Sequence, residues 1–315
     1  MEMQKYPNIY LTKFLFNLEA LEDMLLPEYK GSTVRGAFGW EFKNTVGPLE
    51  PVFDFVFDSK AEGDLPKELE GVKKVPHPLI IEPPIFHKRN ISKGEVFTIT
   101  LTVIGESDNF TPFFVQTIKN MGRKGLTSKG KHLKLVNVFN IAADDSLHLI
   151  YEDHKSVLKT VYKRITLKQI LSKINYSSNI IKLDFQTPFN IQKDGKELIG
   201  EMEIKSLTPE IIIENLERRF RHLAWLYCNS KFEKQIFDVS EIKISKTNLS
   251  EFKLIRKKNN NINKDKTSEI FYGLIGNIVL EGNLSNILPL IYVGEQIHFG
   301  KKTSFGFGKY NILNL

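Results

Sequence analysis

The chain carries one cysteine, Cys228, in 315 residues, which excludes an internal disulfide framework and any cysteine-rich zinc site. It has no run of 18 consecutive apolar residues, so no membrane-spanning helix is expected. The opening residues, MEMQKYPNIYLTKF, lack a hydrophobic signal core, and the expectation is a cytoplasmic protein with no membrane partner. Histidine is absent before His77, and no acidic residue lies between Lys119 and Lys134.

What is present is ordinary in bulk and uneven in detail. Apolar residues make up 41% and charged residues 26%, the proportions of a globular chain. The length suits two domains, each able to bury its own core. A net charge of +7 is a modest basic excess that permits nucleic acid as a partner without requiring it.

The basic residues gather around glycine. The run GEQIHFGKKTSFGFGKYNILNL, Gly294–Leu315, sets Gly300, Gly306 and Gly308 among Lys301, Lys302 and Lys309. Glycine lets another backbone approach closely, and lysines beside open amides suit phosphate. A shift of 178 residues brings NMGRKGLTSKGKHLKL, Asn120–Leu135, onto this run without a gap. Gly122 then meets Gly300, Arg123 meets Lys301, Lys124 meets Lys302, and Gly130-Lys131 meets Gly308-Lys309. Each copy follows an apolar segment of helical length, and FTITLTVIG or IGNIVLEG precedes that segment. The expectation is two copies of one α+β unit ending in helix, basic glycine loop and strand.

Ile9–Leu18 alternates as a first strand. In PEYKGSTVRGAFGWEFKNTVG, Ser32 or Thr33 caps a helix with Val34, Ala37, Phe38 and Phe42 on one stripe. Arg35 lies off the stripe near the positive end of the helix dipole, where a cation is mildly disfavoured, and an arginine kept there is read as awaiting an anion. Residues 51–75 read as loop. Prolines give VPHPLIIEPP an edge or extended character, and His77, between Pro76 and Pro78, is held extended. Glu95–Gly105 reads as a strand, Phe110–Met121 as a helix and residues 144–153 as a hairpin arm. Polar Lys155–Ser178 is taken as the boundary.

In the second half, Ile180–Ile191 is a strand interrupted at Pro188, and Pro209–Cys228 is the strongest helix. Its Arg218 and His222 lie off the apolar face, His222 at a surface rim. Strands follow over 240–256 and Ile270–Glu281, with RKKNNNINKDKTS as a solvated tip between them. Ser285–His298 is the last helix. The fold class is therefore α+β, with two tandem ferredoxin-like (RRM-like) domains over 1–160 and 161–315 and a basic glycine-rich loop in each. The aromatic RNA-stacking signature of such sheets is missing, which moves any nucleic-acid contact to the loops.

The terminal G-x-K-K-T-S-F-G-F-G-K-Y pattern stands in collinear order with four other stretches. They are GSTVRGAFG at Gly31–Gly39, VPHPLIIEPP at Val75–Pro84, QTPFNI at Gln186–Ile191 and RRFRHLAWLY at Arg218–Tyr227. Together they resemble the CRISPR RNA-processing endoribonucleases of the RAMP superfamily. The resemblance implies a protein that binds CRISPR repeat RNA and cuts it once per repeat into guide RNAs, with neither metal nor cofactor. The implied chemistry is attack of a ribose 2′-hydroxyl on the adjacent phosphate, leaving a 2′,3′-cyclic phosphate. Histidine suits the proton transfers, and lysine or arginine the phosphorane charge.

Many relatives place a catalytic histidine in or just after the first helix, where this chain has none. His298, where the negative end of the last helix favours an imidazolium acid, and His77 are the catalytic candidates. Arg35, Arg123, Lys124, Lys131, Gly300, Lys301, Lys302, Gly306, Gly308 and Lys309 are the candidate RNA-binding positions. The alternative is a non-cleaving RAMP-type RNA-binding subunit, partnered with other subunits of a CRISPR effector complex.

If the terminal loop contacts phosphates, replacing Lys301 and Lys302 together by alanine weakens RNA binding. It also flattens the plot of log K against log salt by roughly one unit per lost contact. Binding titrations across a salt series check this, and an unchanged slope removes the loop from the contact list.

Overall fold

The computed structural model describes residues 6–59, 65–70, 75–84, 89–127, 130–155, 157–193, 195–198, 200, 204–257 and 268–315. The chain divides into two compact units. The first comprises Met1–Lys173, Arg219–Lys234 and Ser304–Gly306; the second comprises Ile174–Arg218, Gln235–Thr303 and Phe307–Leu315.

The first unit opens with β1 (Tyr10–Ala20), whose alternation buries Phe14, Phe16, Leu18 and Ala20. It continues through α1 (Gly31–Val46), β2 (Leu79–Glu82), β3 (Val96–Ile104), α2 (Thr111–Lys124) and β4 (Leu133–Ile141), with β5 (Leu147–Glu152) added. The sheet order is β2-β3-β1-β4-β5. β1 runs antiparallel to both neighbours, so that Phe16 pairs with Ile99 on one side and Val138 on the other. This second-third-first-fourth strand order is the ferredoxin-like arrangement. α1 and α2 pack on the sheet through Phe38, Phe42 and Phe114, whose rings lie 5.6–6.3 Å apart.

The second unit repeats the plan with β6 (Ile180–Phe185), α3 (Pro209–Cys228, of which the residues from Arg219 on are counted with the first unit), β7 (Ile242–Lys257), β8 (Ser268–Gly282), α4 (Leu288–Ile297) and β9 (Tyr310–Asn314). Its order is β7-β8-β6-β9. Phe185, Phe189, Phe299 and Tyr310 form its aromatic centre, with Phe185 and Phe189 stacked at 4.0 Å. β9 is an edge strand, and its Ile312 amide donates to Glu295 Oε1 of α4 at 3.0 Å. Among the described residues no helix is long and apolar enough to cross a membrane.

β2 lies at a sheet edge, as its flanking prolines suggest. Other readings need correction. α1 begins at Gly31 with Lys30 at the cap position, and neither Ser32 nor Thr33 caps it. Residues 51–75 are not all loop: Glu50–Phe53 is helical and runs into a wide turn, Asp54–Asp58. Phe53 and Phe57 pack on Phe42 there and shield the turn. The polar stretch after residue 155 holds a short helix, Leu167–Leu171, which Thr166 and Gln169 cap reciprocally. His222, expected at a rim, is 4% exposed on α3. Residues 258–267 of the lysine- and asparagine-rich tip lie outside the described residues.

The loop alignment holds in one part and fails in another. Gly130 and Gly308 both have positive φ, +96° and +77°, just before the last strand of their unit. Gly122, however, sits inside α2, whereas Gly300 lies beyond the end of α4 with φ +77°. The reason is packing: a Cβ at Gly122 would lie 2.5 Å from the Leu133 carbonyl oxygen, so glycine lets α2 run on against β4.

At Gly308 a Cβ would sit 2.0 Å from the Phe299 carbonyl oxygen. Gly308→Ala adds that clash to left-handed backbone strain, and a loss of about 2–4 kcal/mol follows. A urea melt with an unchanged m-value and a lowered midpoint is the expected result.

Candidate nucleic-acid interface

In the first unit, basic groups meet at the start of α1. Lys30, Gly31 and Ser32 begin a 16-residue helix with no acidic residue in its first turn and no side-chain cap. Such an end leaves N–H dipoles that favour an anion. Ser304–Gly306 of the glycine-rich run packs here. Tyr29 donates its hydroxyl to the Phe305 carbonyl at 2.6 Å. A Cβ at Gly31 would lie 2.2 Å from the same oxygen, so glycine alone admits this approach. Arg35, one turn along, places its guanidinium between the rings of Phe57 and Phe305, 4.4 and 4.3 Å from their centroids. Its Nε donates to Ser304 Oγ at 3.0 Å.

Lys30 is 2% exposed, and its ammonium donates to the Glu28 carbonyl at 3.2 Å. Lost hydration pushes its pKa below the ordinary lysine value; Arg89 adds to the effect and Glu28 opposes it. His77 belongs to the same unit. Its Nδ1 is 2.7 Å from Ser59 Oγ, and Ser59 is two residues beyond the Phe57 that carries Arg35. Tyr227 donates its hydroxyl to the neighbouring Pro76 carbonyl at 2.8 Å.

The remaining candidates of this unit stand elsewhere. Arg123 and Lys124 end α2, and Lys124 bonds Glu41 Oε2 of α1 at 2.7 Å, on a carboxylate side chain that is 4% exposed. Lys131 donates its amide to Glu22 and its ammonium to the Leu25 carbonyl.

In the second unit, the Lys301 amide donates to the Asn190 carbonyl at 2.7 Å beside Gly300. Lost hydration lowers the Lys301 pKa first; Arg218 and Lys302 lower it further, against Glu197. Lys302, at φ +60°, lies 3.6 Å from Glu197 Oε1 and 5.8 Å from the Phe271 ring centroid. The Lys309 amide donates to Thr187 Oγ1 at 2.9 Å.

His298 ends α4 at φ +62° and is 1% exposed; its Nδ1 donates to the Phe307 carbonyl at 2.9 Å. The ring therefore ties Phe307 to the helix end and is withdrawn from solvent. The sequence did signal the Arg35 cluster through GSTVRGAFG and TSFGFG, two motifs near opposite ends of the chain. It gave no signal for Phe57 or Lys30, because neither stands in a motif.

Residues 183–310 match the family described as CRISPR-associated endoribonuclease Cas6. That match lies within the second half of the chain and covers less than half of its length. Residues 9–163 match a separate family described as an N-terminal domain. An uncharacterised protein of Archaeoglobus fulgidus is 24% identical over 298 residues, 91% of this chain and 92% of its own. Among solved structures, a partial Cas6-RT-Cas1–Cas2 complex superposes on 98% of this chain with a TM-score of 0.57 at 13% identity. This chain spans 46% of that chain's length. A Cas6 product complex gives 0.55 at 13% identity, over 96% of this chain and all of the other. A Thermus thermophilus Cas6 gives 0.54 at 12% identity, over 97% and 99%. At these identities the likeness is one of fold.

The depressed Lys30 pKa sets a stability trend with pH. Between the folded value and the ordinary 10.5, the unfolded chain binds more protons at this site, so stability rises with pH through that window. Urea melts of the wild type and Lys30→Met are expected to show the wild type gaining on the variant as pH approaches 10.5 from below. A constant difference between the two would refute the trend.

Proposed function

We propose that this protein is a Cas6-type endoribonuclease, which binds CRISPR repeat RNA and cleaves the precursor transcript into guide RNAs, one cut per repeat. The observation that carries the reading is Arg35. Ser304 and Phe305, within the stretch that matches Cas6, hold its guanidinium at the start of α1. A cation fixed in place before substrate arrives costs no reorganisation when a phosphorane forms. In this reading the 2′-hydroxyl attacks the adjacent phosphorus and the 5′-oxygen leaves, giving a 2′,3′-cyclic phosphate without metal. Arg35 bears the developing charge. His77, half-buried and steadied by Ser59 in the same unit, moves the proton. His298 holds the glycine loop in shape through Phe307. Lys301, Lys302 and Lys309 extend the phosphate contacts in the second unit.

The lack of histidine before residue 77 supports a second reading, a non-cleaving RNA-binding subunit that works with other CRISPR proteins.

Single-turnover cleavage of a repeat RNA in EDTA separates the two. The first reading expects a product with a cyclic phosphate end. It expects His77→Ala to slow the cut by about 10²–10⁴-fold with affinity kept. Arg35→Met slows cleavage and weakens binding together, while His298→Ala lowers the melting midpoint more than the rate. Wild-type protein that binds the repeat and never cuts it supports the second reading.

A further inference from the structure

The turn after α2 holds an anion already, and the anion is part of the chain. Glu22 Oε1 accepts the amides of Lys131 at 2.7 Å and His132 at 2.8 Å, and lies 2.9 Å from His132 Nδ1. Gly130 at φ +96° and Lys131 at φ +71° are consecutive left-handed residues, a conformation that turns successive amides toward one point. Thr127 and Gly130 exchange backbone bonds of 3.1–3.2 Å that close the turn beneath them. A Cβ at Gly130 would stand 3.2 Å from Glu22 Oε1, so the glycine also keeps the space open. The three contacts have the short lengths of charge-assisted bonds. The same donors hold the Glu22 carboxyl below the usual range, led by the His132 amide.

The matching turn of the second unit is satisfied differently. There the Lys309 amide, after Gly308, donates to the neutral hydroxyl of Thr187 at 2.9 Å. The turn geometry therefore does not in itself demand a carboxylate. Nor is Glu22 fixed by burial, since its side chain is 45% exposed.

We propose that the Gly130–His132 turn is an oxyanion site kept filled by Glu22, and that a phosphate group occupies it when that carboxylate is withdrawn. A phosphate oxygen would take the place of Oε1 on the two amides, with the His132 ring beside it. The proposal goes beyond the RNA reading and rests on the geometry of the first unit alone. It also makes the two basic turns unequal: one is plugged by the chain's own charge, and the other is capped by a neutral group.

The test follows the Lys131 and His132 amide signals by NMR in wild type, Glu22→Ala and Glu22→Gln. Inorganic phosphate is titrated first, then a short oligonucleotide whose only phosphates are internal. In Glu22→Ala both amides are expected to shift saturably with inorganic phosphate, on the order of tenfold more tightly than in wild type, because an intramolecular competitor is gone. Glu22→Gln, which keeps an acceptor and so safeguards the fold, is expected to fall between them. Shifts in both folded variants no larger than in wild type would overturn the proposal. A response to inorganic phosphate alone supports a site for free phosphate, and a response to the oligonucleotide as well extends it to phosphodiesters. Because the first titration contains no RNA, its outcome is independent of whether the protein handles repeats.

Discussion

The guanidinium of Arg35, set between Phe57 and Phe305 and bonded to Ser304, is the contact on which the arrangement of the first unit's site depends. Each ring face attracts the cation by roughly 0.5–2 kcal/mol, and the planar group gives up little freedom on being stacked. Phe57 is available only because the chain after α1 coils into a wide turn rather than a free loop. Phe305 is available only because Gly31 lets its carbonyl settle on the helix start. Remove either condition and the arginine becomes one more solvated side chain. The site rests on close backbone approach as much as on charge.

Much of the architecture was legible in the sequence because it follows from repeating patterns. The alternation of Phe14, Phe16, Leu18 and Ala20 specifies a half-buried strand, and the stripe from Ile212 to Tyr227 specifies a helix that the structure shows over Pro209–Cys228. Features set by tertiary contact were not legible. The sequence treats Gly122 and Gly300 alike, yet one is helical against β4 and the other turns beside Asn190. The aromatic run at 53–57 reads as loop because its periodicity is too short to register, and only Phe42 shows why it folds. His298 looks available by position and is enclosed by packing.

Charge shows the same division. Counting lysines and arginines found the basic stretches, but a count cannot see which charges are spoken for. Lys124 is paired with a carboxylate that α1 buries, and the amides around Lys131 are engaged by Glu22. The one-sided charge of residues 119–134 in the sequence is thus partly balanced in space by acids from before and within α1. In the second unit, Glu197 does this for Lys302 from between β6 and α3.

An edge strand offers its outward amides as a template on which another chain can add a strand. β9 is such an edge, yet Glu295 reaches from α4 to take the Ile312 amide. A strand arriving there would have to evict a carboxylate and leave it without its donor, an uphill exchange that its own new bonds must offset. The helix that precedes the glycine loop therefore also guards the chain against growing by self-addition at its last strand.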